Sequence, residues 1–306
     1  MARRMYPDKD LEEIDDNSWI IREVIITRHA SKPSGPCWDD GKGTYFSISE
    51  APSPKPATRP RSEPCPIVGI GHGNYQIGHG IIKTHRNLGT PEHITLEALA
   101  KKSLSFKIPK VYHHGIHGNS YYIVHSTIPE GQNMVYAWPK ASEATKKHWI
   151  SQIADAYVEL SEWTGSDITA IDGGLMREYW LCPEAFEVQK TYDPEVLRQT
   201  CETCSMDCSN IVFSHNSFEP LAFTVDEKGL VGISQWNISG FVPKDWIRTK
   251  IHCNSMSGSV PICHQLWTEG EKKDWGNMIK SALEDRGFRE FWYQFALWNS
   301  KRPRID

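Results

Sequence analysis

The chain has 306 residues, 39% of them hydrophobic and 12 of them tryptophan, enough to bury a sizeable core and better suited to two lobes than to one compact unit. A formal net charge of −4 and a pI near 6.4 exclude a global drive toward nucleic acid or an anionic membrane surface. No apolar run reaches the roughly eighteen residues of a membrane span, and the basic start MARRMYPDKDLEE has no apolar segment behind it, so the sequence predicts a soluble, cytoplasmic protein with no membrane partner.

Residues 1–16 are charged and aperiodic and are expected as an extended N-terminal arm. A β-rich region of residues 17–126 follows, with strand composition at 19–27 and 45–49 on either side of the turn-rich SKPSGPCWDDGKG. Residues 51–66, APSPKPATRPRSEPCP, carry too much proline and charge to pack a core and are expected as an exposed loop. Residues 67–83 read as glycine-broken strands, and ITLEALAKK reads as a helix with apolar residues Ile94, Leu96, Ala98 and Leu99. Strands at 108–112 and 121–126 then flank a turn, HHGIHGNS, whose His113, His114 and His117 are expected to be solvated.

From residue 127 to 306 the pattern becomes mainly helical. Trp149, Ile150, Ile153, Tyr157, Leu160 and Trp163 follow the spacing of an amphipathic helix ended by Gly165, and their stripe is core. A further helix is expected near 194–202 and one or two more in EKKDWGNMIKSALEDRGFREFWYQFALW. Cys201, Cys204 and Cys208 form C-x-x-C-x-x-x-C. With no pair of well-separated ligand pairs, they and Cys263 are expected as reduced thiols and no metal is assigned.

The most informative stretch is 211–243, IVFSHNSFEPLAFTVDEKGLVGISQWNISGFVP. Short apolar strands at 211–213, 222–225 and 230–233, with a turn at 226–229, place His215, Asn216, Ser217, Glu219, Gln235 and Asn237 at strand ends, where side chains converge. Its HNSFEPLA and GISQWN resemble the H-G-D-L-x-P-x-N and G-I-I-D-W-E motifs of the aminoglycoside/choline phosphotransferase family. His215, Pro220, Gly232, Ile233 and Trp236 match, and the spacing of eighteen residues from Ser217 to Gln235 is kept. The resemblance implies an α+β, two-lobed protein-kinase-like fold. It implies Lys83 as a phosphate-contacting lysine and Glu97 as its carboxylate partner, and it makes His125 a hinge residue.

The same resemblance exposes a loss. Where the family has a base and magnesium ligands, this chain has Ser217, Ala222 and Gln235, none of them anionic. Besides a working phosphotransferase with relocated metal ligands and a nucleotide-binding regulator relying on Lys83 and Glu97 without turnover, two functions stay open. One is a transferase or condensing enzyme of fungal specialised metabolism, of the tRNA-dependent arginine-containing cyclodipeptide synthase type. It would use His215, Ser217, Glu219, Gln235 and Asn237 on a small-molecule or amino-acid substrate. Aminoacyl-tRNA would meet clusters such as Lys101-Lys102-Lys107-Lys110, Lys146-Lys147 or Lys301-Arg302-Arg304. The other is a pseudokinase that binds a protein partner. Neither assigns a cofactor.

Overall fold

The computed structural model describes residues 10–60, 64–71, 73–86, 89–183, 192–253 and 261–302. Residues 1–9 of the expected arm, 61–63 of the proline-rich loop and Arg304 lie outside that set. The class is α+β, as the sequence implies, and the chain divides into two compact units.

The first unit comprises residues 1–87 and 109–129. Its strands are β1 Leu11–Asp15, β2 Ser18–Ile21, β3 Val24–His29, β4 Cys37–Asp39, β5 Tyr45–Glu50, β6 Val68–Gly71, β7 Asn74–Ile77, β8 Gly80–Arg86, β9 Val111–His117 and β10 Ser120–Ser126. They form two antiparallel five-stranded sheets, ordered β1-β2-β3-β5-β4 and β6-β7-β8-β10-β9. Alternating apolar residues of both sheets, including Trp19, Ile26, Phe46, Tyr75, Ile82 and Val124, make one core. Part of the expected arm is therefore strand β1. The proline-rich loop is tied to it, since Arg59 donates two bonds to the fully buried Glu13 at 3.0 and 2.7 Å. The turn expected between 113 and 120 is mostly strand: β9 runs to His117 and only 118–119 turn.

Trp38 comes from the segment that composition marks as a turn. It lies on β4, buries its ring and donates Nε1–H to Ile77 O at 2.9 Å, which joins the two sheets. A Cβ at Gly80 would stand 2.4 Å from that nitrogen. Gly80→Ala is expected to cost about 1–3 kcal/mol, the usual penalty of overpacking. Urea unfolding measures it, and a loss below about 0.5 kcal/mol, the scale of a neutral surface change, would show that Trp38 can move aside.

The second unit comprises residues 88–108 and 130–306. Helix α1, Glu92–Leu99, therefore belongs with it, although the sequence places residues 17–126 together. The reason is local: Lys107 exchanges backbone bonds with β14 (Gly229–Ile233), donating to Val231 O and accepting from Ile233 N, both at 2.9 Å, and Phe106 stacks on Trp236. The remaining elements are β11 Gln132–Asn133, α2 Met134–Ala137, α3 Glu143–Ser161, α4 Pro194–Thr203, β12 Ile211–Ser214, β13 Phe223–Asp226, β15 Gly240–Pro243, α5 Lys244–Lys250, α6 Pro261–Leu266, α7 Glu269–Glu284 and α8 Trp292–Asn299.

Helix α3 starts where Ser142 accepts Thr145 N–H at 3.1 Å, and it buries Trp149, Ile150, Ile153, Tyr157 and Leu160 of the stripe read from sequence, while Trp163 lies beyond its end and is half-buried. It ends at Ser161, four residues before Gly165. That glycine instead donates to Ile211 O, and a Cβ there would meet the Phe241 ring at 2.7 Å. Eight of the twelve tryptophans are buried. Three of them, Trp138, Trp267 and Trp275, pack with ring centroids 5.2–6.1 Å apart, so tryptophan here is mainly a packing residue. No helix among the described residues is long and apolar enough to cross a membrane.

Candidate functional site

The hairpin β13–β14 and the strand pair β12–β15 hold the stretch that carries the sequence resemblance, within the second unit. Asp226 closes the hairpin by accepting Lys228 N–H at 2.7 Å and Gly229 N–H at 3.0 Å. Residues 215–219 leave β12 and residues 234–237 leave β14, and one side chain ties the two together. His215 is fully buried, with Nδ1 at 2.8 Å from Ser217 O and Nε2 at 2.7 Å from Ser234 O. Ser217 and Ser234 carbonyls thus stand one imidazole ring apart, and the pairing of the two motifs in space follows.

The ring is held on every side. Trp236 meets it edge to face at 4.6 Å, and Tyr157 donates its hydroxyl to Ser217 O at 2.7 Å. Burial pushes His215 down to about 4, outweighing the carbonyl contacts to Ser234 and Ser217, which on their own favour imidazolium. At neutral pH the ring is neutral. A neutral imidazole carries one N–H, so the ring donates to one of the two carbonyls, Ser217 O or Ser234 O. Both ring nitrogens of His215, one of the expected catalytic residues, thus lie against backbone carbonyls.

The other expected residues are placed as follows. Ser217 is 4% exposed, with Tyr157 and His215 at its carbonyl. Glu219 is half-buried and close enough to Cys263 to add to the rise that burial imposes on that thiol, up to about 12. Gln235 is half-buried and Asn237 is exposed. Ala222 is buried, and its carbonyl accepts Ser234 N–H at 2.8 Å and Ser234 Oγ–H at 3.2 Å. Lys83 lies half-buried on β8 in the first unit, whereas Glu97 is exposed on α1 in the second. His125 is buried on β10 with Nδ1 at 2.9 Å from Ser126 O.

Two residues escaped the sequence reading. Glu92, almost fully buried at the start of α1, accepts the Trp236 N–H at 2.9 Å. The signal was there, as an acidic residue directly after proline at a helix start. Tyr157 appeared only as part of an apolar stripe, so its hydroxyl went unread. Asn216 adopts φ 58° and Gln235 φ 65°, the left-handed region that side chains other than glycine rarely enter. The Asn216 amide donates to Ile238 O at 3.2 Å, fixing the loop against the far side of β14.

The donor set does not fit a magnesium-nucleotide centre. Ser217, Ala222 and Gln235 offer no anionic oxygen, and Glu92 is directed to a backbone amide. Cys201, Cys204, Cys208 and Cys263 are free thiols, and among the described residues no group of three or more His, Cys, Asp or Glu is arranged to hold a metal ion. Several lysines considered for tRNA face neighbours of their own. Lys107 pairs with Glu130 and Lys147 with Glu143, both at 2.5 Å, while Lys102 and Lys146 lie over Trp163 and Trp138.

No protein-family model matches the sequence, and comparison with curated proteins finds no match. Solved structures of low identity are similar to this chain. The streptomycin-ATP-APH(2")-IIa ternary complex is 14% identical, with 71% of this chain and 76% of that chain covered and a TM-score of 0.43. ADP-bound aminoglycoside phosphotransferase APH(2'')-Ib is 14% identical over 80% and 86%, with a TM-score of 0.40. A thermostable mutant of aminoglycoside phosphotransferase APH(4)-Ia, with ADP and hygromycin B, is 10% identical over 76% and 90%, with a TM-score of 0.43. At these identities and TM-scores the likeness carries no argument about this chain.

Proposed function

We propose that the second unit carries a neutral, hydrogen-bonding floor that does not perform magnesium-dependent phosphoryl transfer and that serves as a binding or regulatory module of kinase-like ancestry. The observation that carries this reading is His215. With both ring nitrogens on carbonyls, it gives Ser217 no base, and the matched positions 217, 222 and 235 give neither a carboxylate base nor a metal clamp. Thermal-shift titration is expected to show no added stabilisation when magnesium joins ATP. Robust transfer of the γ-phosphate to a small alcohol or amine overturns the reading. Stabilisation by ATP alone, lost in Lys83→Ala, would assign nucleotide contact to that lysine.

A second reading rests on Glu219. A half-buried carboxylate in a motif whose matched positions 217, 222 and 235 are uncharged suits a guanidinium or ammonium substrate better than a polyphosphate. It supports a condensing enzyme of fungal specialised metabolism, of the arginine-containing cyclodipeptide synthase type, with Glu219 binding the cationic side chain. Extracts of a heterologous host expressing the wild type are then expected to contain a new arginine-containing product that Glu219→Ala and Ser217→Ala lose. Indistinguishable extracts remove this reading and leave the binding module.

A further inference from the structure

His113, Gly115 and His117 occupy alternate positions of β9, so they share one face of the second sheet of the first unit. With no side chain on Gly115, the two imidazoles approach each other above it. Their centroids are 5.9 Å apart and their planes lie within 14°. A Cβ on Gly115 would sit 3.2 Å from His117 Nε2 and 3.6 Å from His113 Nε2, so both nitrogens border one small volume. Both are shielded from solvent, and neither has a hydrogen-bond partner in the protein. A buried polar atom left unpaired is uncommon, and two of them bordering one space call for a shared partner.

Behind His117, Glu50 Oε2 stands 3.8 Å from Nδ1, too far for a hydrogen bond, and Nδ1 too has no hydrogen-bond partner in the protein. Tyr122, edge-on to His117 at 5.6 Å, does not compete, because its hydroxyl donates to Glu23.

We infer that His113 and His117 form a two-imidazole site for a divalent transition-metal ion of the nickel, copper and zinc class, with both Nε2 atoms as ligands above Gly115. Imidazole donors select this class over magnesium or calcium, which prefer oxygen. Two protein ligands leave the other positions to water, so the ion is exchangeable. The test is isothermal titration of the full, chelator-treated chain with nickel(II). One equivalent is expected to bind, with affinity falling about tenfold or more in His113→Gln and in His117→Gln, a loss of the size seen when a metal's supporting groups are removed. Gly115→Val should weaken binding as well, by filling the space. His114→Gln, exposed and on the alternate face, should leave it unchanged. Far-UV circular dichroism of each variant separates loss of the site from loss of the fold. Absent binding in the folded wild type, or binding that survives both histidine substitutions, overturns the site.

Discussion

Glu178→Ala is expected to lower the stability of the second unit by about 3–5 kcal/mol, because it strands a buried ammonium without its counter-charge. Lys250 is 2% exposed and Glu178 1%, and Nζ stands 2.5 Å from Oε2. Trp246 Nε1–H donates to the same oxygen at 3.2 Å, and Trp180 N–H reaches Oε1 at 3.3 Å. The carboxylate thus gathers α5, which carries Trp246 and Lys250, onto the segment before residue 181. Lys250→Met should cost a similar amount, by burying the carboxylate alone. Combining Glu178→Leu with Lys250→Met should recover most of the loss, since paired buried charges can be replaced by apolar residues at little cost. Urea unfolding of the two single variants and the double variant decides the matter. Single losses below about 1 kcal/mol, the worth of an exposed pair, would mean that water reaches the site.

The second large effect is one of acidity. His215 titrates near 4 in the folded protein and near 6.5 when unfolded, so between those values the unfolded chain takes up a proton that the native state refuses. Stability is therefore complete above about pH 6.5, falls as the pH drops from there toward about 4, and levels off below for this group. Integrated over that window the loss is on the order of 3 kcal/mol, of which about 2 kcal/mol is lost between pH 7.5 and pH 5. His215→Gln should be less stable at pH 7.5 but should lack this part of the acid loss. Chemical unfolding of both proteins at the two pH values measures the difference. Equal losses in wild type and variant would remove His215 as the titrating group.

The parts of this fold that were legible in the sequence are those whose signal is local and periodic. The α3 stripe, the Asp226 turn and the β13–β14 hairpin each follow from residues within a few positions of one another. The pairing of residues 215–217 with 234–237 was legible only through the resemblance, because no local pattern dictates that an imidazole will span two carbonyls. Strand β4 was hidden by its setting, since Cys37, Trp38 and Asp39 sit among glycines and prolines and earn their conformation from Phe46 and Ile77 elsewhere in the chain. Strand β9 was hidden by composition. His-His-Gly-Ile-His reads as a solvated turn, yet β10 supplies its ladder and shields two of its histidines. Glu92 and Tyr157 were missed because each has a sufficient local role, a helix start and a core stripe, that masks the partner it finds far along the chain.

The order in which the chain visits its two units bears on its synthesis. Passing from one to the other at residues 87–88, 108–109 and 129–130, it completes β8 before α1 is made and supplies β10, the neighbour of β8, only afterwards. During that interval a nascent chain presents the backbone of Gly80–Arg86 as an unpaired edge, the kind of surface that recruits strands from other chains. At about 5–20 residues per second the forty residues from 87 to 126 take several seconds to emerge. A fragment ending near residue 87 would never close that edge, so it should associate with itself where the intact chain does not.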